Sequence, residues 1–463
     1  MASAAFTPPE NPFAPFVPSS DSPWDKRWVS HLLRRAALGP TPGLVKTLAA
    51  LTPSAAVDEL FDFNPANDPF AAELDEMADF LTLSGPDQVQ QWWYHRMLNT
   101  AQPTQERMAL YWHNHFATSA SKVQDGKMLS GMIDLFRVSG LDSFRVLLKA
   151  VTKDPAMLVW LDGQANHKGK ANENYGREVM ELFTLGIGNY SEQDVKEIAR
   201  AFTGWQINGG AAVLNKSQFD ATDKTVFGIT GPLDADGAVD LILQQPVAAT
   251  HLSMKLLRGF VHPTPTQLQI DYYASRLLEH DWEIKPVMKE MLTSRLFYSE
   301  WAYRSKIKGP IDLVVGAALA VGGRASTDFV RQQATRMGQN LLFPPNVKGW
   351  DGEQAWINSN TVMLRFNLGT HLATPGADFV TKPDLENTIK SRGAQSAGEV
   401  VDVLADLFLD GRLDVQSRSD IVDFMNTGAD GKTAAFVFNH GTYGTKVRPV
   451  IHMLMATPEY QLA

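Results

Sequence analysis

Apolar residues recur at helical spacing along almost the whole chain, and this repetition restricts the fold more than any other feature. From Arg27 onward apolar side chains return every three or four residues, which places them on one face of an α-helix. Proline, serine or threonine stands at the start of many of these segments, as first turns and N-caps prefer. The pattern predicts helices near 27–38, 42–51, 54–62, 87–101, 104–118, 125–138, 142–152, 173–185, 192–205, 236–258, 265–280, 285–294, 309–321, 326–337, 396–410, 415–427 and 446–456.

Two stretches interrupt the helical pattern. Residues 206–232 are rich in glycine, asparagine, threonine and aspartate, which favours a long loop with a possible small hairpin. Residues 341–360 contain two adjacent prolines and two tryptophans, and they also lack helical spacing. We therefore predict an all-α fold, a large multi-helix domain with a minor β-hairpin or loop insertion near 206–232.

The length of 463 residues allows about three domains or one large one. Residues 1–25 carry six prolines, so they are predicted to form an extended arm rather than a helix or strand. The arm is either a loose tail or a strap docked through Phe6, Phe13 and Phe16, and we favour partial docking. Residues 26–463 are predicted to form a single large helical domain, with possible sub-layers at 26–205 and 233–463.

Composition and missing motifs exclude several classes of protein. The chain has a formal net charge of −9, whereas nucleic-acid binders usually carry an excess of basic residues. The absence of cysteine excludes disulfides, thiolate metal sites and iron–sulfur clusters. No apolar run reaches the roughly 18 residues of a membrane helix, and no signal peptide is visible. No Walker loop, Rossmann fingerprint or nucleophile elbow appears, and nothing indicates a nucleotide or haem cofactor.

The predicted helix 173–185 carries a dense set of charges. Glu173, Arg177 and Glu181 stand four residues apart and can form an acid–base–acid ladder on a solvated face. Glu178 lies at the edge of the apolar face, where a carboxylate needs a partner. Glu178 is therefore a candidate general acid/base, with Arg177 and Glu181 beside it. Structural ion pairing explains the same residues without catalysis.

Two histidines, His113 and His115, suggest a metal site when they are combined with Glu178. On a helix, side chains two residues apart point in nearly opposite directions, so both histidines bind one ion only if the helix ends there. A divalent metal is therefore possible and its identity open, and His113 is also a candidate catalytic residue. The alternative places one histidine in the core and the other on the surface.

Four further residues are candidate ligand-binding residues. Asn172 and Asn174 flank the start of the charged helix, where helix capping explains one of them. Lys348 and Trp350 lie in the proline-bounded irregular stretch with Trp356, an aromatic and polar combination that suits a sugar or a peptide. Packing of the tryptophans against a helix layer explains the same stretch.

Several runs of residues together resemble a known bacterial family. They are Glu106 to Phe116 (ERMALYWHNHF), Lys153 to Met157 (KDPAM), Asn172 to Gly186 (NENYGREVMELFTLG), 190–195 (YSEQDV), 201–205 (AFTGW), 343–350 (FPPNVKGW) and 356–359 (WINS). The family is the one called domain of unknown function 1800. The resemblance covers about residues 27–370 and extends plausibly to the end of the chain. The family's name records no reaction, so the resemblance implies kinship rather than chemistry.

The resemblance implies a setting for the protein. Family members are often predicted to be exported, which suggests a periplasmic or extracellular location. Their genes often neighbour those of a second family, domain of unknown function 1501, whose members resemble sulfatases and phosphatases, so a partner from that family is expected. Relatives usually begin the loop at 219 with His-Asp, whereas this chain has Phe219. Any role for a histidine there is therefore absent.

Three functional hypotheses follow from these features. The leading one is an exported or envelope-associated enzyme of unknown reaction, with a pocket of carboxylate, histidine and arginine side chains. The second is a noncatalytic scaffold or partner of a secreted enzyme, in which the polar motifs are buried ion-pair networks. The third is a carbohydrate or peptide binder that uses Trp350 and Trp356.

Overall fold

The computed structural model describes residues 11–63, 68–374, 376 and 378–463. The described chain is mostly helical, as predicted, and its β structure consists of small two-stranded sheets. Its α-helices are α1 (Lys26–Ala36), α2 (Pro42–Ala49), α3 (Pro53–Phe61), α4 (Ala71–Leu81), α5 (Pro86–Asn99), α6 (Pro103–His115), α7 (Gly126–Ser139), α8 (Phe144–Thr152), α9 (Pro155–Trp160), α10 (Glu173–Glu178), α11 (Glu192–Ala201), α12 (Ala235–Leu243), α13 (Pro246–Phe260), α14 (Gln267–Glu279), α15 (Ile284–Thr293), α16 (Pro310–Ala320), α17 (Thr327–Arg336), α18 (Ser359–Ala373), α19 (Leu385–Ser391), α20 (Ala397–Leu409), α21 (Val415–Met425), α22 (His440–Thr442), α23 (Arg448–Ala456) and α24 (Pro458–Gln461).

The strands form three antiparallel two-stranded sheets within the described residues. The predicted insertion near 206–232 contains two of them, so it holds two hairpins rather than one. In the first, β1 (Trp205–Asn208) pairs with β2 (Ala211–Leu214), and in the second, β3 (Lys224–Val226) pairs with β4 (Ile229–Gly231). The third sheet joins β5 (Arg324–Ala325) to β6 (Phe379–Thr381), which are distant in sequence.

Two predicted helices are not continuous α-helices. The segment predicted at 236–258 is two helices, α12 and α13, because Pro246 cannot continue a helix and instead begins the second one. The segment predicted at 173–185 begins as α10 and then changes to a π-helix at Val179–Thr184. A second π-helix covers Tyr443–Val447, and 3₁₀ turns cover Gly163–Ala165 and Glu353–Trp356.

Two helices of eleven or more residues, α4 and α18, were not predicted from the sequence. In α18, Arg365 lies on the buried side, 1% exposed, and so it interrupts the apolar stripe that would have marked the helix. Its guanidinium donates to the Gln461 side chain at 2.8 Å and to the Lys308 carbonyl at 2.7 Å. These bonds compensate for burying the charge, which explains how a polar residue occupies a core position.

Buried apolar side chains form one cluster that runs from Trp28 to Tyr460. The described part of the N-terminal arm, residues 11–25, lies against this body. The Phe13 ring stacks on Tyr272 with centroids 3.8 Å apart. The backbone N–H of Phe16 donates to the Thr293 carbonyl at 2.8 Å. Phe6 lies outside the described residues.

Candidate functional site

His113 and His115 occupy the last turn of α6 and face different neighbours. The Leu342 backbone N–H donates to His113 Nε2 at 3.2 Å, so this nitrogen carries no proton. His115 Nε2 lies 3.2 Å from the Phe183 carbonyl oxygen, so here Nε2 donates and Nδ1 is the unprotonated nitrogen. Burial lowers the pKa of His113 to about 3 and holds the pKa of His115 well below its ordinary value. Both rings are neutral at pH 7.

The π-helix positions His115 together with a second imidazole. A helix end leaves its last carbonyls without intrahelical partners. Here the Phe183 carbonyl accepts from His115, and the Leu182 carbonyl accepts from His251 Nε2 on α13 at 3.2 Å. The chain leaves the helix at Gly186, whose φ of +83° suits glycine. Three separate segments are joined at this point.

An amide latch attaches the irregular stretch to α6. The Trp350 backbone N–H donates to Asn114 Oδ1 at 2.8 Å, and Asn114 Nδ2 donates to the Trp350 carbonyl at 3.4 Å. Gly349 permits this approach, because a Cβ there would lie 2.4 Å from the Asn114 carbonyl and side-chain oxygens. The latch holds Lys348 and Trp350 beside the end of α6.

Helix α6, helix α13 and residues 348–353 enclose a cleft of about 380 Å³, a size that suits a small-molecule ligand. A smaller cavity of about 150 Å³ continues it towards Arg107, Asp312 and Trp356. The cleft is lined by Tyr111, Asn114, His115, Lys255, Arg258, Gly259, Pro263, Lys306, Lys348, Trp350, Asp351, Gly352 and Glu353. By contrast, the cavity beside Arg34 and Asp410 is about 30 Å³, enough for water only.

Lys255 is the more buried of two cationic residues in the cleft that have no carboxylate partner among the described residues; the other is Arg258. Lys306 pairs with Glu353 and Lys348 pairs with Asp351, whereas Lys255 makes no hydrogen bond or ion pair with any described residue. Burial, followed by the nearby charges of Arg258 and Lys348, lowers the pKa of Lys255 to about 8. The amine is therefore mostly protonated at pH 7, but it releases its proton far more readily than an ordinary lysine.

Two further polar atoms on the cleft residues have no protein partner. The Tyr111 hydroxyl and His115 Nδ1 are both buried and make no hydrogen bond within the described chain. The Tyr111 ring lies against α13 at Gly259, where a Cβ would come within 2.8 Å of it. Buried polar atoms in native structures are normally satisfied, so these two atoms beside the cleft are available to a ligand or to water.

The predicted catalytic carboxylates lie elsewhere. Arg177 pairs with Glu173 at 3.3 Å, as the spacing predicted, and with Glu192 at 2.7 Å, while Glu181 accepts from the Tyr190 hydroxyl. These three predicted residues do not line the cleft, and neither does Glu178.

Glu178 is half-buried, and the partner expected for it is not found among the described residues. Burial, then the charge of Glu181, raises the pKa of Glu178. Glu178 is only partly buried, so its carboxylate keeps some contact with solvent.

The predicted metal set His113, His115 and Glu178 is not brought together. Nowhere in the described ranges do three or more histidine, aspartate or glutamate side chains form a group that could hold a metal ion. The two histidines differ in orientation because α6 continues through His115 instead of ending before it.

The predicted ligand-binding residues divide into two pairs. Asn172 caps α10 by accepting from the Asn174 backbone N–H at 3.0 Å, and the Asn174 side chain donates to Asp162 at 3.2 Å. Lys348 and Trp350 line the cleft. Trp350 and Trp356 are each 8% exposed, so neither offers the open ring face on which a sugar stacks.

The sequence analysis did not single out Lys255, although a signal was present. His251, Lys255 and Arg258 stand at i, i+4 and i+7, so they share one face of α13. A polar stripe of this kind on an otherwise apolar helix indicates either a solvated edge or a site. Only the tertiary neighbours distinguish the two.

The fold and the cleft define a class: a mostly helical protein with small hairpins and a polar, cationic cleft. The family model described as protein of unknown function, DUF1800, matches residues 31–462. The chain belongs to this family, and the match extends the resemblance seen at 27–370 over nearly the whole chain. No curated protein and no solved structure matches it. Among the described helices, none is both long and apolar enough to cross a membrane.

Proposed function

We propose that this protein is an enzyme that acts on a small molecule in the cleft between α6, α13 and residues 346–353. The observation that carries the proposal is the meeting of three polar groups without protein partners: the Tyr111 hydroxyl, His115 Nδ1 and the Lys255 ammonium. A buried polar group without a partner lowers the stability of the fold, so proteins keep such groups mainly where they bind a ligand.

Lys255 is assigned the role of general acid. A proton donor works best when its pKa lies near the operating pH, and the pKa of Lys255 is lowered to about 8. At pH 7 the amine is charged and ready to donate its proton to a substrate oxygen, and water then restores the proton. Tyr111 and His115 are assigned to bind and orient the substrate, because a neutral imidazole nitrogen accepts a hydrogen bond and a phenol donates one.

The enzyme hypothesis is tested without knowing the substrate. Purified protein is incubated with a small-molecule extract of bacterial cells, and mass spectrometry follows which compounds disappear. Wild type is expected to consume at least one compound, and Lys255→Met is expected to lose that activity by about 100-fold or more, the scale of general acid catalysis. Lys122→Met is the matched control, because Lys122 pairs with Asp162 away from the cleft. Identical profiles for wild type and Lys255→Met would overturn the proposal.

The scaffold hypothesis is supported by the structural contacts of other residues in the run from Glu106 to Phe116. Glu106 is fully buried and binds Trp93, Arg96 and Arg137, and Asn114 serves the latch. These contacts explain much of the motif through packing. They do not explain Lys255, whose unpaired charge serves no packing purpose, and for that reason we prefer the enzyme.

Kinship supports two further proposals about the setting of the enzyme. Export to the periplasm or the extracellular space is proposed because members of the family are often predicted to be exported. A partner from the domain of unknown function 1501 family is proposed because genes of the two families are often neighbours. An enzyme that works beside a sulfatase-like or phosphatase-like protein would share its compartment.

A further inference from the structure

The charges that line the cleft are unbalanced. Four cationic side chains (Lys255, Arg258, Lys306 and Lys348) face two carboxylates (Asp351 and Glu353), an excess of two positive charges. The whole chain carries a formal net charge of −9, so this local excess runs against the overall composition. A concave surface with a net excess of one sign of charge concentrates ions of the opposite sign.

The excess belongs to two particular residues. Lys306 forms an ion pair with Glu353, and Lys348 forms one with Asp351. By contrast, Lys255 and Arg258 form no ion pair with any residue that the structure describes. Both project from α13, three residues apart, and therefore from neighbouring positions on one helix face. Arg258 is exposed and Lys255 is half-buried, so one stands at the rim and the other inside.

The electrostatic free energy of binding in this cleft differs between a cation, a neutral ligand and an anion. A cation would be repelled by the two unpaired charges. A neutral ligand would leave the Lys255 ammonium partly desolvated and without a counter-charge, which is costly. An anion would supply the missing counter-charge and accept charge-assisted hydrogen bonds, which are about twice as strong as neutral ones.

We infer that the ligand of this cleft carries an oxyanion group, a carboxylate, phosphate or sulfate, held between Lys255 and Arg258 with Lys348 at the side. This inference rests on the proposed function, because it names the class of substrate. Tyr111 and Trp350 line the same cleft, whose volume leaves room for an uncharged part of the ligand. The substrate class is thus a small organic acid or an ester of phosphoric or sulfuric acid.

The protonation of Lys255 couples anion binding to pH. The titratable and charged groups that face it are Tyr111 and His115 from α6, His251 and Arg258 from α13, and Lys306, Lys348, Asp351 and Glu353 from the surrounding loops. Burial keeps both imidazoles neutral near pH 7, with the pKa of His251 lowered to about 4. As pH rises past 8, Lys255 loses its charge, and the anion loses its main partner.

Sulfate is a suitable probe because it does not titrate between pH 6 and pH 10. Its binding to the full chain is measured by calorimetry and by the rise in unfolding temperature, with chloride holding the ionic strength constant. We expect saturable sulfate binding at pH 7. Above pH 9 the binding constant should fall by about tenfold per pH unit, because Lys255 loses one proton. Parallel titrations with inorganic phosphate and with acetate tell tetrahedral anions from a planar one.

Four variants separate the possible outcomes. Lys255→Met and Arg258→Met are each expected to weaken sulfate binding by about tenfold or more, because each removes a charged hydrogen-bond donor. Lys122→Met changes the net charge equally, and it should bind as wild type does. Lys255→Arg keeps the charge at all these pH values, so its binding should persist at pH 9.5.

The result that would overturn the inference is equal sulfate, phosphate and acetate binding in Lys255→Met, Lys122→Met and wild type, or no saturable binding of any of the three. Its failure is distinct from failure of the enzyme hypothesis. Lys255→Arg is expected to bind sulfate but not to turn over substrate, because a guanidinium does not release its proton. Turnover that requires Lys255 without anion binding would remove the inference and keep the enzyme.

Discussion

The half-buried ammonium of Lys255 costs the folded chain stability, because it loses contact with water and gains no carboxylate in return. Burial lowers its pKa from the ordinary value of 10.5 to about 8, and one pKa unit corresponds to about 1.4 kcal/mol. The residual exposure of the side chain reduces the full cost. We therefore expect Lys255→Met to increase the free energy of unfolding by about 1–2 kcal/mol at pH 7.

The sign of this effect with pH follows from the direction of the shift. Since the pKa of Lys255 is lower in the folded state, the penalty is fully present below pH 8 and disappears as pH rises towards 10.5. Chemical denaturation at pH 7 and at pH 10 should show the gap between wild type and Lys255→Met closing. Lys122→Met should stay within about 0.5 kcal/mol of wild type. A less stable Lys255→Met at pH 7 would contradict this account.

Single residues also show what sequence alone can establish about the site. The pairing of Glu173 with Arg177 was predictable from their spacing of four residues, but the same spacing does not pair Arg177 with Glu181, which accepts from the Tyr190 hydroxyl instead. The isolation of Lys255 was not predictable, because it depends on which groups α6 and residues 346–353 bring near α13. Lys348 and Trp350 were predicted as ligand-binding residues, and they line the cleft. Glu178 does not.

At the scale of elements, the latch between α6 and residues 346–350 depends on Gly349. Its φ is +86°, and a Cβ would lie 2.4 Å from the Asn114 oxygens. Gly349→Ala is expected to lower the free energy of unfolding by about 2 kcal/mol or more, through backbone strain and loss of the two hydrogen bonds between Asn114 and Trp350. Tryptophan fluorescence should shift to longer wavelength as Trp350 gains water. Denaturant titrations followed by fluorescence measure both effects.

A second glycine provides the matched control for the latch. Gly169 has a similar φ of +78°, but a Cβ there would meet nothing within 4 Å. Gly169→Ala should therefore show the backbone penalty alone, about 1 kcal/mol, with unchanged fluorescence. Equal losses in the two variants would show that the contact with Asn114 contributes nothing.

Helix existence was largely predictable from apolar spacing, whereas helix type was not. The segment at 173–185 has the same side-chain pattern whether the backbone is α or π, since the two differ by one residue per hydrogen-bonded turn. The π form leaves the carbonyls of Leu182 and Phe183 to His251 and His115, which belong to other helices. Those partners are absent from any local window of sequence. The break at Pro246 was readable locally, and it was missed.

At the scale of the whole molecule, the cleft is a product of long-range packing. Tyr111, Lys255 and Trp350 are each about 100 or more residues apart in sequence, and a single core that includes residues from α1 to α24 holds them in place. The fold class was predictable because every amphipathic helix must bury its apolar face. The arrangement of the helices was not, because many packings bury the same faces.

Burial of histidines across the molecule makes its stability sensitive to acid. Burial is the largest cause of a lowered pKa at six histidines: His31, His95, His113, His115, His251 and His262. Since these folded pKa values lie below the unfolded value of 6.5, the stability they contribute is complete above pH 6.5 and is lost as pH falls. A histidine with a folded pKa near 4 or below costs about 2 kcal/mol at pH 5.

Several such histidines together approach the total stability of a typical domain, about 5–15 kcal/mol. Three carboxylates act in the opposite sense, because burial raises the pKa of Asp134, of Glu178 and, to about 7, of Asp154, so their protonation favours the fold as pH falls. Because the six histidines outnumber these carboxylates, we expect cooperative unfolding between about pH 6 and pH 4.5. His251→Gln should make the unfolding free energy fall less steeply between pH 7 and pH 5, by about one proton. Denaturant titrations at several pH values measure that slope, and a free energy that stays constant from pH 7 to pH 5 would show that the buried histidines take up protons without unfolding the chain.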